Sequence, residues 1–195
     1  MRNKDSVWKT LGASSHTEEE REKDDYYATE PGAIDVLLGV EGFEGVIWEP
    51  ACGEGHLSKR LLELGHEVIS TDLVDRGYGV GGVDFLMQME MRGRNIITNP
   101  PYKYAQGFAE RGMVLLPGGG KMALFLKLQF LEGKRRKGMF LRMPPKVLYV
   151  SSSRLLCAKR GNFQKMRDGG GSAVAYGWYV WEKGWCGDTV IKWVN

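Results

Sequence analysis

Short apolar runs recur along this chain, and between them lie stretches whose apolar positions follow helical spacing. Val46-Ile47-Trp48, Val68-Ile69-Ser70-Thr71, Val83-Asp84-Phe85, Ile96-Ile97-Thr98 and Met122-Ala123-Leu124-Phe125-Leu126 read as strands. Pro31 suits the first turn of a helix carrying Ile34, Val36, Leu37 and Leu38, where its fixed φ and missing N–H cost nothing. Leu57, Leu61, Leu62 and Leu64 mark a second helix that stops at Gly65. Tyr104 to Leu116 makes a third, ending before Pro117 and its glycines. Phe130 to Leu141 reads as a basic helix closed by Pro144-Pro145, and further strands are expected at Lys146 to Val150, Ala173 to Trp181 and Thr189 to Val194.

Strands alternating with helices imply βαβ units, hence an α/β fold with a doubly wound, mostly parallel sheet. The strand-rich ending points to an antiparallel hairpin at one edge. Residues 1–25 are polar and contain the charge run Glu18-Glu19-Glu20-Arg21-Glu22-Lys23-Asp24-Asp25, which reads as an N-terminal arm. The 195 residues fit one medium domain, expected over 26–195. No apolar run approaches the ~18 residues of a membrane span. Cys52, Cys157 and Cys186 show neither metal-ligand spacing nor an even disulfide set, so a reduced cytoplasm is expected and no metal is. His16, His56 and His66 read as structural, and Trp178, Trp181, Trp185 and Trp193 as sheet packing.

Charge is divided unevenly. Residues 1–100 hold 10 Lys/Arg against 19 Asp/Glu, and residues 101–195 hold 17 against 5, balances of −9 and +12. Much of the excess falls between Lys127 and Asp168. Such a concentration is the expected footprint of a polyanion, with Lys134, Arg135, Arg136, Lys159 and Arg160 as candidate phosphate contacts and Phe130 and Phe163 as candidate base contacts.

Two short stretches carry the chemistry. Glu49-Pro50-Ala51-Cys52-Gly53-Glu54-Gly55 leaves one strand and enters a helix, the turn where ligands bind in a doubly wound sheet. Asp72 ends the next strand, the place for an acid that grips ribose hydroxyls. The dinucleotide fingerprint needs a third glycine where Ser58 stands, and Glu49 and Glu54 would repel a pyrophosphate. An adenosine ligand with a positive centre and no phosphates suits these acids better.

The second stretch is Asn99-Pro100-Pro101-Tyr102 at the tip of another strand. The Asn99 side-chain oxygen and the Pro100 carbonyl can accept both hydrogens of an NH2 group, which favours a pyramidal nitrogen whose lone pair meets an electrophile. Pro100 and Pro101 stiffen the tip, and Tyr102 offers a ring face for stacking. No strong base is required, in keeping with the lack of a histidine beside the motif.

Together the glycine stretch, Ser70-Thr71-Asp72, Asp84-Phe85 and Asn-Pro-Pro-Tyr resemble the ordered motifs of S-adenosylmethionine-dependent amino-methyltransferases. Tyr26-Tyr27-Ala28-Thr29-Glu30-Pro31 resembles the N-terminal cofactor motif of their DNA N6-adenine branch. Thr10-Leu11-Gly12-Ala13-Ser14 with the acidic run is similar to the openings of small phage and prophage members, and the resemblance covers roughly residues 8–185. It implies a Rossmann-like methyltransferase sheet of seven strands and S-adenosylmethionine as cofactor. By resemblance, Ala51, Gly53 and Gly55 pack against the cofactor, Glu49 lies near its methionine amine and Asp72 holds its ribose. Asp84 would accept from its adenine amine, Phe85 cover the ring, and Tyr27 and Thr29 close over the methionine end. Asn99, Pro100, Pro101 and Tyr102 form the catalytic motif, acting on an adenine flipped out of DNA in a bacterial host.

The order of motifs is the one found where a target-recognition domain follows the catalytic one, yet almost nothing follows here. Segments 127–145 and 157–172 would have to read the target, so a relaxed site, a homodimer or an accessory partner is expected. RNA adenine methylation remains an alternative, as do glutamine methylation of a protein and a catalytically dead nucleic-acid-binding relic.

Overall fold

The computed structural model describes residues 27–158, 163–168 and 174–195. The expected N-terminal arm, Lys159 and Arg160 lie outside the described residues. The chain runs β1 (Ala28–Thr29), α1 (Gly32–Leu38), β2 (Ile47–Glu49), α2 (His56–Glu63), β3 (Val68–Ser70), β4 (Asn95–Thr98) and α3 (Ala105–Leu115). It continues through β5 (Lys121–Lys127), α4 (Lys134–Arg142), β6 (Val147–Ser151), β7 (Cys157–Ala158), α5 (Phe163–Asp168), β8 (Tyr176–Glu182) and β9 (Val190–Val194). Among the described residues no helix is long and apolar enough to cross a membrane.

Seven strands form one sheet in the order β3-β2-β4-β5-β8-β6-β9. β3, β2, β4 and β5 pair in parallel, β8 runs antiparallel to both of its neighbours, and β9 pairs in parallel with β6. The antiparallel strand is therefore interior, where a hairpin at the edge was expected. Burial explains the order: β8 is covered on both faces from Tyr176 to Trp181, as an inner strand must be, whereas β9 is exposed from Val190 to Trp193. Trp178 and Trp181 pack in the sheet as expected, but Trp185 and Trp193 do not, being 38% and 72% exposed.

Alternation along the strands builds a core on each face. Met122, Leu124 and Leu126 of β5 join Trp48, Ile96, Phe108, Tyr179 and Trp181 on one side. Ala123 and Phe125 join Ile34, Leu61, Ile97, Tyr149 and Trp178 on the other. The expected strand at Val83-Asp84-Phe85 is instead a loop leading into a 3-10 turn over Phe85–Met87. Asp84 caps that turn, its carboxylate accepting from the Leu86 N–H at 2.9 Å, and Phe85 anchors it in the core.

The site follows from the topology. The chain leaves β2 toward β3 on one side, and β4 then lies on the other, so a crevice opens at their carboxyl ends. Trp48 of β2 lies beside Ile96 of β4, which brings the stretches after Glu49 and after Thr98 out at the same edge. A separate antiparallel pair, Ala28 with Ala158 and Thr29 with Cys157, meets the site.

Candidate active site

One cleft collects both stretches. Tyr27, Thr29, Glu49, Ala51, Asp72, Asn99, Pro100 and Tyr102 all line it. Of the residues expected at the site these come together, although they span more than 70 positions of sequence.

Asn99 is held from one side only. Its Nδ2 donates to the Tyr27 carbonyl at 3.0 Å, to Thr29 Oγ1 at 2.8 Å and to Cys157 Sγ at 3.6 Å. A carbonyl can only accept, so the amide cannot be turned the other way. Its Oδ1 is buried and has no hydrogen-bond partner among the described residues. An acceptor left in that state costs about 1–3 kcal/mol, which a donor entering the cleft recovers.

Glu49 ends β2 and is 2% exposed. The Ser58 hydroxyl donates to its Oε2 and lies 2.6 Å from Ser70 Oγ. Burial pushes the Glu49 carboxyl up to about 8, reinforced by repulsion from Asp72 and opposed by the Ser58 hydrogen bonds. Ser58, which breaks the dinucleotide glycine pattern, thus braces the buried acid. Asp72 accepts from the Gly53 N–H at 2.8 Å and from the Val74 N–H at 2.9 Å. A carboxylate offers about four lone-pair sites, so two remain for ribose hydroxyls.

The glycines act differently from expectation. Gly55 caps α2 in the left-handed region, and a Cβ there would meet the Tyr78 ring at 2.4 Å. Its smallness therefore admits Tyr78 rather than a ligand. Gly53 reaches the site through its N–H bond to Asp72.

Asp84 and Phe85 do not join the cleft lining. Phe85 is 2% exposed between Trp48, 5.1 Å away, and Phe108, 4.7 Å away, so it has no surface with which to cover an adenine ring. Pro101 instead begins the 3-10 turn at Tyr102–Tyr104, its carbonyl accepting from the Tyr104 N–H at 2.9 Å.

Tyr102 donates its phenol proton to Cys157 Sγ at 3.7 Å, and burial raises its ionisation far above the ordinary phenol range. Burial also pushes the Cys157 thiol up to about 11 and the Cys52 thiol up to about 12, so all three stay neutral near pH 7. Among the described residues the side chain of Asn99 hydrogen-bonds to the Tyr27 carbonyl, Thr29 and Cys157, none of them an ionised base.

Expectations for the basic segment divide. Phe130 is 8% exposed and packs edge-on against Phe140 and Tyr179, which makes it core rather than a base contact. Arg136 donates from Nε to the Phe130 carbonyl at 2.7 Å and also bonds the Gln129 and Glu132 carbonyls, closing the turn before α4. Lys134 and Arg135 are exposed on α4. Phe163 opens α5 and lies edge-on to His56, 5.7 Å away.

Cys52, His56, Leu57 and Arg76 also line the cleft, and Cys157 anchors its polar wall; none was singled out for the site from sequence. Burial lowers the His56 pKa, with Lys59 adding to the effect and Glu54 opposing it. No spacing rule ties any of these to the Asn-Pro-Pro-Tyr stretch.

No family model matches the chain, and no curated protein matches its sequence. Solved structures match by shape. A Vibrio vulnificus protein described as the modification subunit of a type I restriction enzyme superposes with a TM-score of 0.56 at 13% identity, over 95% of this chain and 48% of that one. A Lactococcus lactis protein described as a hemolysin gives 0.54 at 12% identity, over 84% of this chain and 93% of that one. A Listeria monocytogenes protein described as a class I S-adenosylmethionine-dependent methyltransferase gives 0.52 at 12% identity, over 81% of this chain. The chain spans 60% of that protein's length. At these identities the likeness concerns architecture, and in architecture the chain is similar to class I S-adenosylmethionine-dependent methyltransferases.

Proposed function

We propose that this protein transfers a methyl group from S-adenosylmethionine to the exocyclic N6 amine of adenine in DNA, with the target base taken out of the stack. The observation that carries the reading is Asn99: its NH2 is tied to the protein and its Oδ1 is left as an unpartnered acceptor in the cleft. An amine nitrogen is what such an acceptor fits.

The residues present also fit the cofactor. Glu49 is a buried acid that lacks a cation among the ion pairs of the described residues. The bound cofactor supplies a sulfonium methyl as electrophile and an ammonium group as a cation. Glu49 pairs with positive charge, and Asp72 accepts ribose hydroxyls. Asn99 Oδ1 and the Pro100 carbonyl accept the amine hydrogens, holding the nitrogen pyramidal and stabilising the charge that develops on it. Tyr102 supplies the stacking face, and the methylated amine releases its proton to water. The architecture shared with methyltransferases supports methyl transfer, and the basic second half supports a nucleic-acid substrate.

The test is incubation with tritiated S-adenosylmethionine and unmethylated DNA, RNA or protein in parallel, with nucleoside digestion of the products. Label is expected in DNA as N6-methyladenine; label confined to RNA or protein would refute the DNA reading. Asn99→Ala should cut turnover by about 100-fold or more while leaving the cofactor dissociation constant unchanged. Loss of cofactor binding in that variant would contradict the role of Asn99.

A further inference from the structure

Tyr102 stands between two clefts. One is the cleft described above; the second, of about 150 Å³, lies between Tyr102, Lys127, Gln129, Phe130 and Arg136. Lys127 is the last residue of β5, which extends past the end of β4 at the same sheet edge from which Asn99 emerges. Its ammonium sits 4.2 Å from the centroid of the Tyr102 ring. Lys121 and Lys146 pair with Glu41 and Glu182, but among the described residues no carboxylate pairs with Lys127. Across the cleft the Arg136 guanidinium is pinned 4.9 Å over the Phe130 ring by its carbonyl contacts. Two cations thus face a cleft whose lining includes no acid.

We propose that this second cleft is a phosphodiester subsite, in which Lys127 and Arg136 hold the phosphate joined to the target nucleoside. The proposal rests on the functional reading above and deepens it. A base stacking on the face of Tyr102 that the ammonium occupies must displace Lys127, and the displaced ammonium needs an anion. The phosphate attached to that same nucleoside supplies one within reach of the side chain. A free nucleoside or a glutamine side chain supplies none, so the exchange favours a nucleotide embedded in a strand. Lys127 is a substrate-binding residue here, and Arg136 contributes from a fixed position because its other contacts do not let it swing.

The test compares Lys127→Met, Lys127→Arg and, as a control on an exposed lysine of β9, Lys192→Met in the full chain. Substrates are an unmethylated oligodeoxynucleotide, the matching RNA and free adenosine. Lys127→Met should raise KM for the oligonucleotide about tenfold and lower the slope of binding against log salt by about one. It should leave the cofactor dissociation constant unchanged and kcat within about threefold, and Lys127→Arg should restore most of the loss. Wild-type protein should act poorly on adenosine. Unchanged KM and salt slope in Lys127→Met, an equal loss in Lys192→Met, or adenosine methylated as well as the strand would each overturn the subsite while leaving methyl transfer intact. Activity on RNA alone would refute the DNA reading and support the subsite. Label in no nucleic acid would overturn both.

Discussion

Glutamine in place of Glu49 tests how the cleft receives a cation. In the free protein burial holds the Glu49 carboxyl near 8, so at pH 7 the neutral acid outnumbers the carboxylate by about ten to one. A cationic ligand engages the carboxylate, and binding at pH 7 then expels close to one proton, about 0.9 on this ratio. Affinity for S-adenosylmethionine should rise about tenfold from pH 6 to pH 7 and level off as the group ionises unaided near pH 8. Glu49→Gln preserves the shape and the Ser58 contact but removes the proton, so its binding should be weaker above pH 8 and nearly independent of pH below it. Titration calorimetry in buffers of different ionisation enthalpy measures the released protons directly. Wild-type binding with no proton release, or a glutamine variant with the same pH slope, would refute the reasoning.

The same shift acts on stability. The unfolded chain ionises Glu49 near 4.5 and the folded chain near 8, so between these values the folded state carries the extra proton. Its contribution is therefore fully present below pH 4.5 and is lost as pH rises through 8, by a total on the order of 5 kcal/mol. Urea unfolding of wild-type protein and Glu49→Gln at pH 5.5, 7 and 8.5 isolates this group, because the other carboxyls are common to both. The variant should gain on the wild type as pH rises. A constant difference across that range would show that Glu49 ionises normally.

Tyr102→Phe removes a 3.7 Å contact to Cys157 but keeps the ring, so turnover should stay within about threefold, whereas Tyr102→Ala should raise KM about 10- to 100-fold through lost stacking. Steady-state kinetics on an oligonucleotide separates them, and equal losses would assign the work to the hydroxyl. Phe125→Ala empties a fully buried position stacked on Tyr176 at 5.3 Å and packed 4.9 Å from Trp178, and should cost about 3–5 kcal/mol in chemical unfolding. A loss below about 1 kcal/mol would contradict the placement of Phe125 in the core.

Local pattern made the sheet legible where burial repeats with the strand period. Ala123 and Phe125 against Met122, Leu124 and Leu126 show both faces of β5 in five consecutive residues, and both faces prove covered. The same logic failed at Val83-Asp84-Phe85, because one buried aromatic and one acid within three residues look alike in a strand and in a capped turn. Only the bond from the Leu86 N–H to Asp84 separates the two, and that bond involves the residue after the run. Phe130 misled for a related reason. Its place in a basic segment suggested exposure, yet the ring is 8% exposed and Arg136 folds back over it.

The site divides along the same line between near and distant contacts. Asn99-Pro100-Pro101-Tyr102 announces its acceptors through residue type alone, because few side chains besides asparagine offer a rigidly placed carbonyl beside a proline. What the tetrapeptide cannot state is which way its amide faces. That is decided by the Tyr27 carbonyl 72 positions away and by Cys157 58 positions away, through the small sheet of β1 with β7. Cys157 carries no motif because its task needs only a neutral, polarisable atom in a tight space, and Thr29 shares that task. Ser58 is the instructive intermediate case. Its departure from the glycine fingerprint was visible and argued against a dinucleotide, but the hydroxyl's hold on Glu49 appears only when α2 returns over β2. The buried acid is thereby placed beside the glycine turn, while burial, against the pull of the Ser58 hydrogen bonds, keeps its proton on at pH 7, so the proton count on binding tests directly whether this cleft receives a cation.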